Sequence, residues 1–175
     1  MAEQRVYTLG LSKIEIGDIA QDGGMGSTLS QMGYTYKDTC TLTSEDPEKT
    51  EHYVEEVDDP VVVLSKAGKT TIDFSLANPS PETLVALAGG TASASVSGGE
   101  KDIWEAPDSL PTIEKSIKLT PKQGYIIEIP RGNITAKMDG NLNQGDLFML
   151  KVNIVVMKPT KSGEAKWKLT KIAAS

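Results

Sequence analysis

Hydrophobic and polar positions alternate with a period of two along most of the chain, as half-buried β-strands require. The clearest case is TTIDFSLA, in which Ile72, Phe74 and Leu76 point one way and polar residues point the other. The longest is DLFMLKVNIVVMK, where every even position from Phe148 to Val156 is apolar. We therefore predict a mainly antiparallel β architecture, either a β-sandwich or a barrel-like sheet.

Further strands follow from the same alternation, and glycine-containing breaks separate them at hairpin-like spacing. The predicted apolar faces are Tyr7, Leu9 and Leu11 in an opening strand, Ile113, Ile117 and Leu119 in a central strand, Tyr125, Ile127 and Ile129 in the next, and Trp167 and Leu169 in a closing strand. Trp167 is expected in the core, whereas Trp104 is expected to anchor a loop. The continuous apolar run VVVL at 61–64 is interpreted as a buried strand.

One segment, NPSPETLVALAGG, departs from the period of two. Ser80 can cap a helix, Pro81 suits the first helical position, and Glu82 lies in the first turn, where the helix dipole favours an anion. The pair Gly89 and Gly90 then ends the helix. We predict one short flanking α-helix near residues 80–88, closing an open end or side of the sheet.

The length and composition favour one domain. At 175 residues and 38% hydrophobic composition, the chain can bury one core, so residues 1–175 are predicted to form a single domain. Two glycine-rich stretches, 19–33 and 89–100, are predicted to be long flexible loops. The first residues resemble no secretion signal, and no window approaches the roughly 18 apolar residues of a membrane span, so we expect a soluble protein made in the cytoplasm.

The acidity of the chain is concentrated in residues 45–59, EDPEKTEHYVEEVDD. This segment has eight carboxylates and one lysine, while the whole chain has a net charge of −6, so the remainder is close to neutral. Three interpretations are open, namely a projecting two-stranded arm, a disordered segment and a weak calcium site. We favour the projecting arm, because apolar residues interrupt the acidic run and neither parity is cleanly apolar.

The last 25 residues are basic, with six lysines and one glutamate. Because an acidic arm and a basic end are complementary, they are candidates for contacts between copies of the chain. The candidate interface residues are Glu45, Asp46, Glu48, Glu51, Tyr53, Glu55 and Glu56 on the arm, and Lys166, Lys168 and Lys171 at the basic end. The net acidity argues against specific binding of nucleic acid, which depends on Lys and Arg.

Motifs that would indicate chemistry are incomplete. SKAGKT lacks the earlier glycine of a phosphate-binding loop, since Val63 stands there, and the segment that begins with DGNLNQGD has Gln144 and Leu150 where a calcium loop needs glycine and glutamate. Both are interpreted as turns. His52 has no recognisable nucleophile beside it, and Cys40 is expected to be a small half-buried side chain. With one histidine and one cysteine in the chain, we expect no transition-metal site, and because no motif supplies a complete set of catalytic groups we expect no enzymatic activity and no cofactor.

The order of these elements resembles that of tail tube (major tail) proteins of long-tailed bacteriophages and their prophage relatives. The resemblance rests on the N-terminal strand with its long loop, the charged arm, VVVLSKAGKTTIDFSLA leading into PSPETLVALAGG, and the basic end. It implies a β-sandwich or barrel-like core with one helix, assembled as hexameric rings that stack into a tube for DNA passage. The implied partners are copies of the chain and other tail proteins, and the implied location is the virion tail.

Two other functions are kept as alternatives. The tube protein of a contractile injection or secretion system shares the ring geometry but conveys effectors instead of DNA. A ligand-binding β-sandwich, such as a carbohydrate-binding module, belongs to a different class. Such modules present aromatic platforms, and aromatic residues make up only 5% of this chain.

Overall fold

The alternating segments of the sequence form a set of antiparallel strands with one helix in the computed structural model, which describes residues 6–172. The outermost residues of the predicted 1–175 domain lie outside the described part. The elements are β1 Leu9–Gly17, β2 Leu29–Gln31, β3 Thr41–Ser44, β4 Glu48–Val54, β5 Val57–Lys66, β6 Thr70–Leu76, α1 Pro81–Ala88, β7 Thr91–Ser93, β8 Ile103–Glu105, β9 Ile113–Gln123, β10 Tyr125–Asp139, β11 Met149–Val156 and β12 Lys168–Lys171. The predicted fold class, mainly antiparallel β with one short helix, is confirmed.

Eight of the strands form one sheet in the order β2-β1-β9-β10-β11-β6-β3, and β12 pairs with β10. All of these pairings are antiparallel. The chain crosses from β2 at one edge of the sheet to β3 at the other within residues 31–41. Residues of β1 and residues 34–42, which lead into β3, line one groove, so the two ends of the sheet approach each other and the sheet is curled.

The core lies on one face of this sheet, beneath α1. In β6 the predicted residues Ile72, Phe74 and Leu76 are buried, while Asp73 between them is exposed. In β11, Leu150, Val152 and Ile154 are buried as predicted and Val156 is half-buried, but Phe148 precedes the strand and is exposed. The buried apolar residues are Ile14, Ile16, Ile72, Phe74, Leu76, Leu84, Leu87, Ile117, Leu119, Ile129, Ile134, Leu150, Val152 and Ile154.

The first strand begins later than predicted and buries other residues. Tyr7 and Leu9 are exposed, so their assignment to an apolar core face is wrong. The pairing of β1 with β9 shifts register between Leu11 and Lys13, and such a bulge reverses which parity points inward. The buried positions downstream are consequently Ile14 and Ile16.

The two tryptophans differ in their environment. Trp104 is half-buried, and its Nε1 donates a hydrogen bond to the Gly89 carbonyl at 2.9 Å, so it anchors the end of α1. Trp167 and Leu169 are exposed, so the expectation of a core Trp167 is wrong. The reason is that β12 pairs only with the first residues of β10, and no described element packs over it.

The helix begins and ends where the sequence predicts. The Oγ of Ser80 accepts a hydrogen bond from the Thr83 amide at 3.2 Å, and Pro81 occupies the first turn. At the other end, Gly89 has a φ of 80°, which an L-residue with a side chain adopts at a cost. Packing of Leu84 and Leu87 into the core holds α1 over β9 and β10.

The two glycine-rich stretches are partly strand. Residues 29–31 form β2 and residues 91–93 form β7, so the prediction of uninterrupted loops over 19–33 and 89–100 is wrong at those positions. Within 19–33, the buried Ser116 hydroxyl accepts a hydrogen bond from the Gly26 amide at 2.9 Å and donates one to the Pro130 carbonyl at 2.7 Å. This long-range pairing fixes the first stretch on the sheet.

Candidate assembly surfaces

Most of the acidic segment lies in a two-stranded β-hairpin, to which it contributes β4, the turn and the start of β5. Strands β4 and β5 pair with each other and with no strand of the main sheet, and Glu55 and Glu56 form the turn at the tip. We call residues 48–66 the hairpin. Every residue of it is exposed, so the interpretation of 61–64 as a buried strand is wrong. The valines of β5 are exposed because β5 pairs only with the polar strand β4, and no described element covers either face of the hairpin.

Apolar side chains lie on both faces of the hairpin. Directly opposed residues share a face, so Thr50 and His52 lie with Leu64 and Val62, while Glu51 lies with Val63 on the other face. The exposed apolar residues have between 44% and 57% of their surface accessible, and they are Tyr53, Val54, Val57, Val61, Val62, Val63 and Leu64. The hairpin is thus an apolar ribbon with an acidic end.

The charged residues of the hairpin are sorted along its length. The two lysines, Lys49 and Lys66, lie near the base, whereas all of the charged residues at the tip are carboxylates. The Tyr53 hydroxyl donates a hydrogen bond to the Glu51 carboxylate at 2.6 Å, which raises the pKa of Tyr53. Within residues 6–172, no three His, Cys, Asp or Glu side chains are grouped so that they could hold a metal ion.

Some of the predicted interface residues meet at the base of the hairpin. A shallow depression of about 440 Å³ is lined by Glu45, Asp46 and Glu48 together with Lys66, Lys69 and Lys166. The base of the acidic arm and Lys166, the first of the three candidate lysines, are therefore neighbours within one subunit.

The other C-terminal lysines lie elsewhere. Lys168 forms an ion pair with Glu128 at 3.3 Å on β10. Lys171 is directly opposite Tyr125, and Leu169 is opposite Ile127. Lys171 and Leu169 therefore share the face of β12 that is opposite to the face of Lys168. The three candidate lysines of the basic end consequently lie in three different environments. Of these three, only Lys166 lies beside the predicted acidic residues.

A second candidate surface is the gap between the two edges of the curled sheet. An open groove of about 680 Å³ lies between β1 and residues 34–42, and we call it the groove. Its floor is apolar, with Leu42, Leu119 and Ile127 packed at or against the core. Tyr34, Tyr36 and Tyr125 line its sides, and the first two are exposed.

Two hydrogen bonds to the backbone of Ser75 hold the wall of the groove in place. The Tyr36 amide donates to the Ser75 carbonyl at 2.8 Å, and the Thr39 hydroxyl accepts from the Ser75 amide at 3.1 Å. Between them Asp38 has a φ of 61°, a left-handed conformation that Asp tolerates better than most residues. The wall is therefore formed before any ligand or partner binds.

The groove is positively charged at its rim. Lys13, Lys37 and Lys122 line it with one carboxylate, that of Asp38. Lys13 is paired with Glu15 at 3.0 Å, whereas no ion pair within the described residues involves Lys37 or Lys122. Sequence reasoning missed this surface, and the signal that could have indicated it is the pair of tyrosines two positions apart in YTYKD.

Cys40 lies in the groove as a half-buried thiol, and burial raises its pKa. Because the thiolate is the reactive form, we expect Cys40 to react with iodoacetamide more slowly at pH 7 than an unfolded control peptide of the same sequence. The pH at which the rate is half-maximal should lie above that of the peptide. Mass-spectrometric alkylation rates from pH 7 to 10 measure both, and equal pH profiles for protein and peptide would contradict the burial.

The chain matches no protein-family model and no curated protein. No helix among the described residues is long and apolar enough to cross a membrane. The hairpin and the groove are therefore interpreted on their own geometry.

Proposed function

We propose that the protein is a structural subunit that assembles with copies of itself into the stacked rings of a phage tail tube, through which DNA passes without being bound specifically. The observation that carries this proposal is the hairpin, which exposes seven apolar side chains on a ribbon separate from the core. The ring is hexameric in this proposal, and other tail proteins are further partners. The subunit is made in the bacterial host cytoplasm and resides in the virion tail.

The hairpin supports assembly because a hairpin of this kind is poorly stable on its own. An isolated two-stranded hairpin is marginally stable in water, since neither face has a layer to pack against. Contiguous exposed apolar surface on a soluble chain commonly marks a protein–protein interaction site. A second subunit that covers one face of the hairpin would remove Val61, Val63 and their neighbours from water and stabilise the ribbon.

The position of the hairpin also supports an assembly that can extend. A surface found once per chain that binds a different surface on the next copy makes a heterologous contact, which produces closed rings or open filaments. A tube of stacked rings needs both kinds of contact, one that closes each ring and one that joins each ring to the next. The acidic residues of the tip and the net charge of −6 would disfavour adhesion of DNA to the wall of such a tube. A tube of a contractile injection system uses the same geometry and remains an alternative.

A ligand-binding module is the second candidate, and one observation favours it. Tyr34, Tyr36 and Tyr125 line a preformed open groove, and aromatic side chains are common in carbohydrate sites. This candidate gives the exposed hairpin no role.

Replacement of residues 48–66 by a short Gly-Ser linker tests the proposed assembly. The main sheet should fold without the hairpin, because the hairpin pairs with none of its strands. We expect the wild type to form rings or tubes in negative-stain electron microscopy and light scattering at high concentration, and the variant to remain monomeric while it keeps a cooperative thermal unfolding transition. As a matched control, replacement of the exposed loop 141–147 should leave assembly intact. A wild type that stays monomeric, or a variant that assembles as well as the wild type, would contradict the proposal.

A further inference from the structure

We propose that the groove is the acceptor for the hairpin of a second copy of this chain. This inference rests on the proposed assembly and names the surface that the hairpin contacts. The occupant is residues 48–66 of the neighbouring subunit, which enter between β1 and residues 34–42 with one apolar face toward the groove floor.

Charge complementarity is the first argument. The hairpin carries six carboxylates and two lysines, and its tip is wholly acidic. The groove has three lysines and one aspartate on its lining, and Lys171 lies beside it, opposite Tyr125. Opposite potentials accelerate encounter and fix the register of two docking surfaces. Placement of the acidic tip near Lys37 and Lys122 would pair these lysines with carboxylates.

Apolar complementarity is the second argument. The floor formed by Leu42, Leu119 and Ile127 is the point at which the core opens to the surface, and the valines of β5 are the largest run of exposed β-branched residues on the hairpin. Tyrosines around such a floor provide large contact area at low entropic cost. One face of the hairpin would thus complete the open side of the core.

Backbone complementarity is the third argument. Strand β3 pairs with β6 along one edge only, and β5 pairs with β4 along one edge only. Unpaired edges bind additional strands, which supplies main-chain hydrogen bonds in addition to side-chain contacts. An incoming hairpin can therefore be held by its edge as well as its apolar face.

The hairpin does not occupy the groove of its own subunit. All of its residues are exposed, and none of them lines the groove. Donor and acceptor are distinct patches on each chain, so every subunit can give one hairpin and receive another. The contact is heterologous and joins subunits head to tail.

Cysteine trapping in the full-length protein tests this contact, because the only cysteine of the chain already lies in the groove. Val62→Cys and Val63→Cys place a thiol on opposite faces of the hairpin. A short bismaleimide at assembling concentration should join Cys40 to one of these positions and give a ladder of covalent dimers, trimers and larger species. Peptide mass spectrometry would identify the link between the two positions. The matched control Leu142→Cys, on a side chain 91% exposed outside the hairpin, should give no link to Cys40.

The double variants Cys40→Ser/Val62→Cys and Cys40→Ser/Val63→Cys separate this contact from hairpin-to-hairpin pairing. They have one thiol per chain, so they should lose the ladder, and any product stops at the dimer. A link between Cys40 and the hairpin within a monomer would overturn the inference, as would the absence of any link under conditions in which the same variants assemble.

Complementation gives an independent test. A hairpin-replaced chain keeps its groove, and a Lys37→Glu/Lys122→Glu chain keeps its hairpin. We expect each to be monomeric alone, and an equimolar mixture to form a 1:1 dimer in analytical ultracentrifugation, because only one productive contact remains. No dimer in the mixture would overturn the inference.

The outcomes distinguish this inference from the proposed assembly. If the hairpin replacement abolishes assembly but Lys37→Glu/Lys122→Glu assembles as the wild type does, the hairpin is a connector and the groove is not its acceptor. If the wild type never assembles, the proposed assembly fails as well. A monomer that binds oligosaccharides, with at least tenfold weaker binding in Tyr36→Ala, would assign the groove to a carbohydrate instead.

Discussion

Replacement of Ile154 by alanine is expected to lower the free energy of unfolding by about 2–5 kcal/mol, the usual cost of removing a large aliphatic side chain from a core. Ile154 is fully buried in β11, between Ile134 on β10 and Ile72 on β6. A Cβ on Gly132 would lie 2.6 Å from its Cγ2, so the backbone of β10 already approaches this side chain closely. The site cannot collapse easily, and the truncation leaves a cavity.

The matched control is Leu64→Ala on the hairpin. Leu64 is also a large aliphatic residue in a strand, but 57% of its surface is exposed, so its truncation should change the unfolding free energy of the dilute monomer by less than about 0.5 kcal/mol. Urea unfolding measures both variants, and the slope against urea should be unchanged. A cost for Leu64→Ala as large as that for Ile154→Ala would show that the hairpin packs against the body of its own subunit.

Comparison of Leu64→Ala with Ile154→Ala also separates an effect on assembly from an effect on the stability of the monomer. In the proposed assembly Leu64 is covered only by a neighbouring subunit, so Leu64→Ala should weaken assembly while the monomer stays folded. Ile154→Ala should reduce both, because the groove floor and the core are continuous through Leu119 and Ile127.

The parts of the fold that sequence predicts well are those decided locally. The cap of α1 depends on Ser80 and its neighbours within one turn, and the structure has it at the predicted residues. The alternation in β6 and β11 is equally local, because one face of each strand is core and the other is polar. In both cases the pattern within a single segment predicts most of the burial, although Ser75 on the polar face of β6 is buried as well.

The parts that sequence misses depend on a partner distant in the chain. A run such as VVVL is typical of a strand buried on both faces, but both faces of β5 are exposed because β5 pairs only with β4, outside the main sheet. In β1 the bulge between Leu11 and Lys13 arises from pairing with β9, about a hundred residues later. No alternation within the segment records it.

The two candidate surfaces also differ in whether sequence can predict them. The hairpin is visible in sequence because its charge is concentrated in one segment. The groove combines Lys13, Tyr36 and Lys122 from three separate segments, and only the curl of the sheet brings them together. The C-terminal lysines look like one basic end in sequence, yet the alternating faces of β12 separate Lys168 from Lys171.

Substitution of Gly124 by alanine is expected to destabilise the protein by at least about 2 kcal/mol, through backbone strain and overpacking together. Gly124 joins β9 to β10 with a φ of 105°, which L side chains rarely adopt, and a Cβ there would overlap the Cα of Thr8. The close approach has a structural purpose, since the Thr8 hydroxyl accepts a hydrogen bond from the Tyr125 amide at 3.2 Å.

Gly163→Ala isolates the strain from the overlap. Gly163 has a φ of 79° and nothing within 4 Å of the added Cβ, so only the cost of the left-handed conformation, about 1–2 kcal/mol, should appear there. Thermal or urea unfolding of both variants gives the difference, which measures the contact between the turn and Thr8. Because Tyr125 and Thr8 both line the groove, displacement of this turn should also weaken hairpin docking, whereas Gly163→Ala should leave assembly unchanged. Equal destabilisation by the two substitutions would show that the overlap with Thr8 adds no cost to the backbone strain, and the groove would then not depend on Gly124.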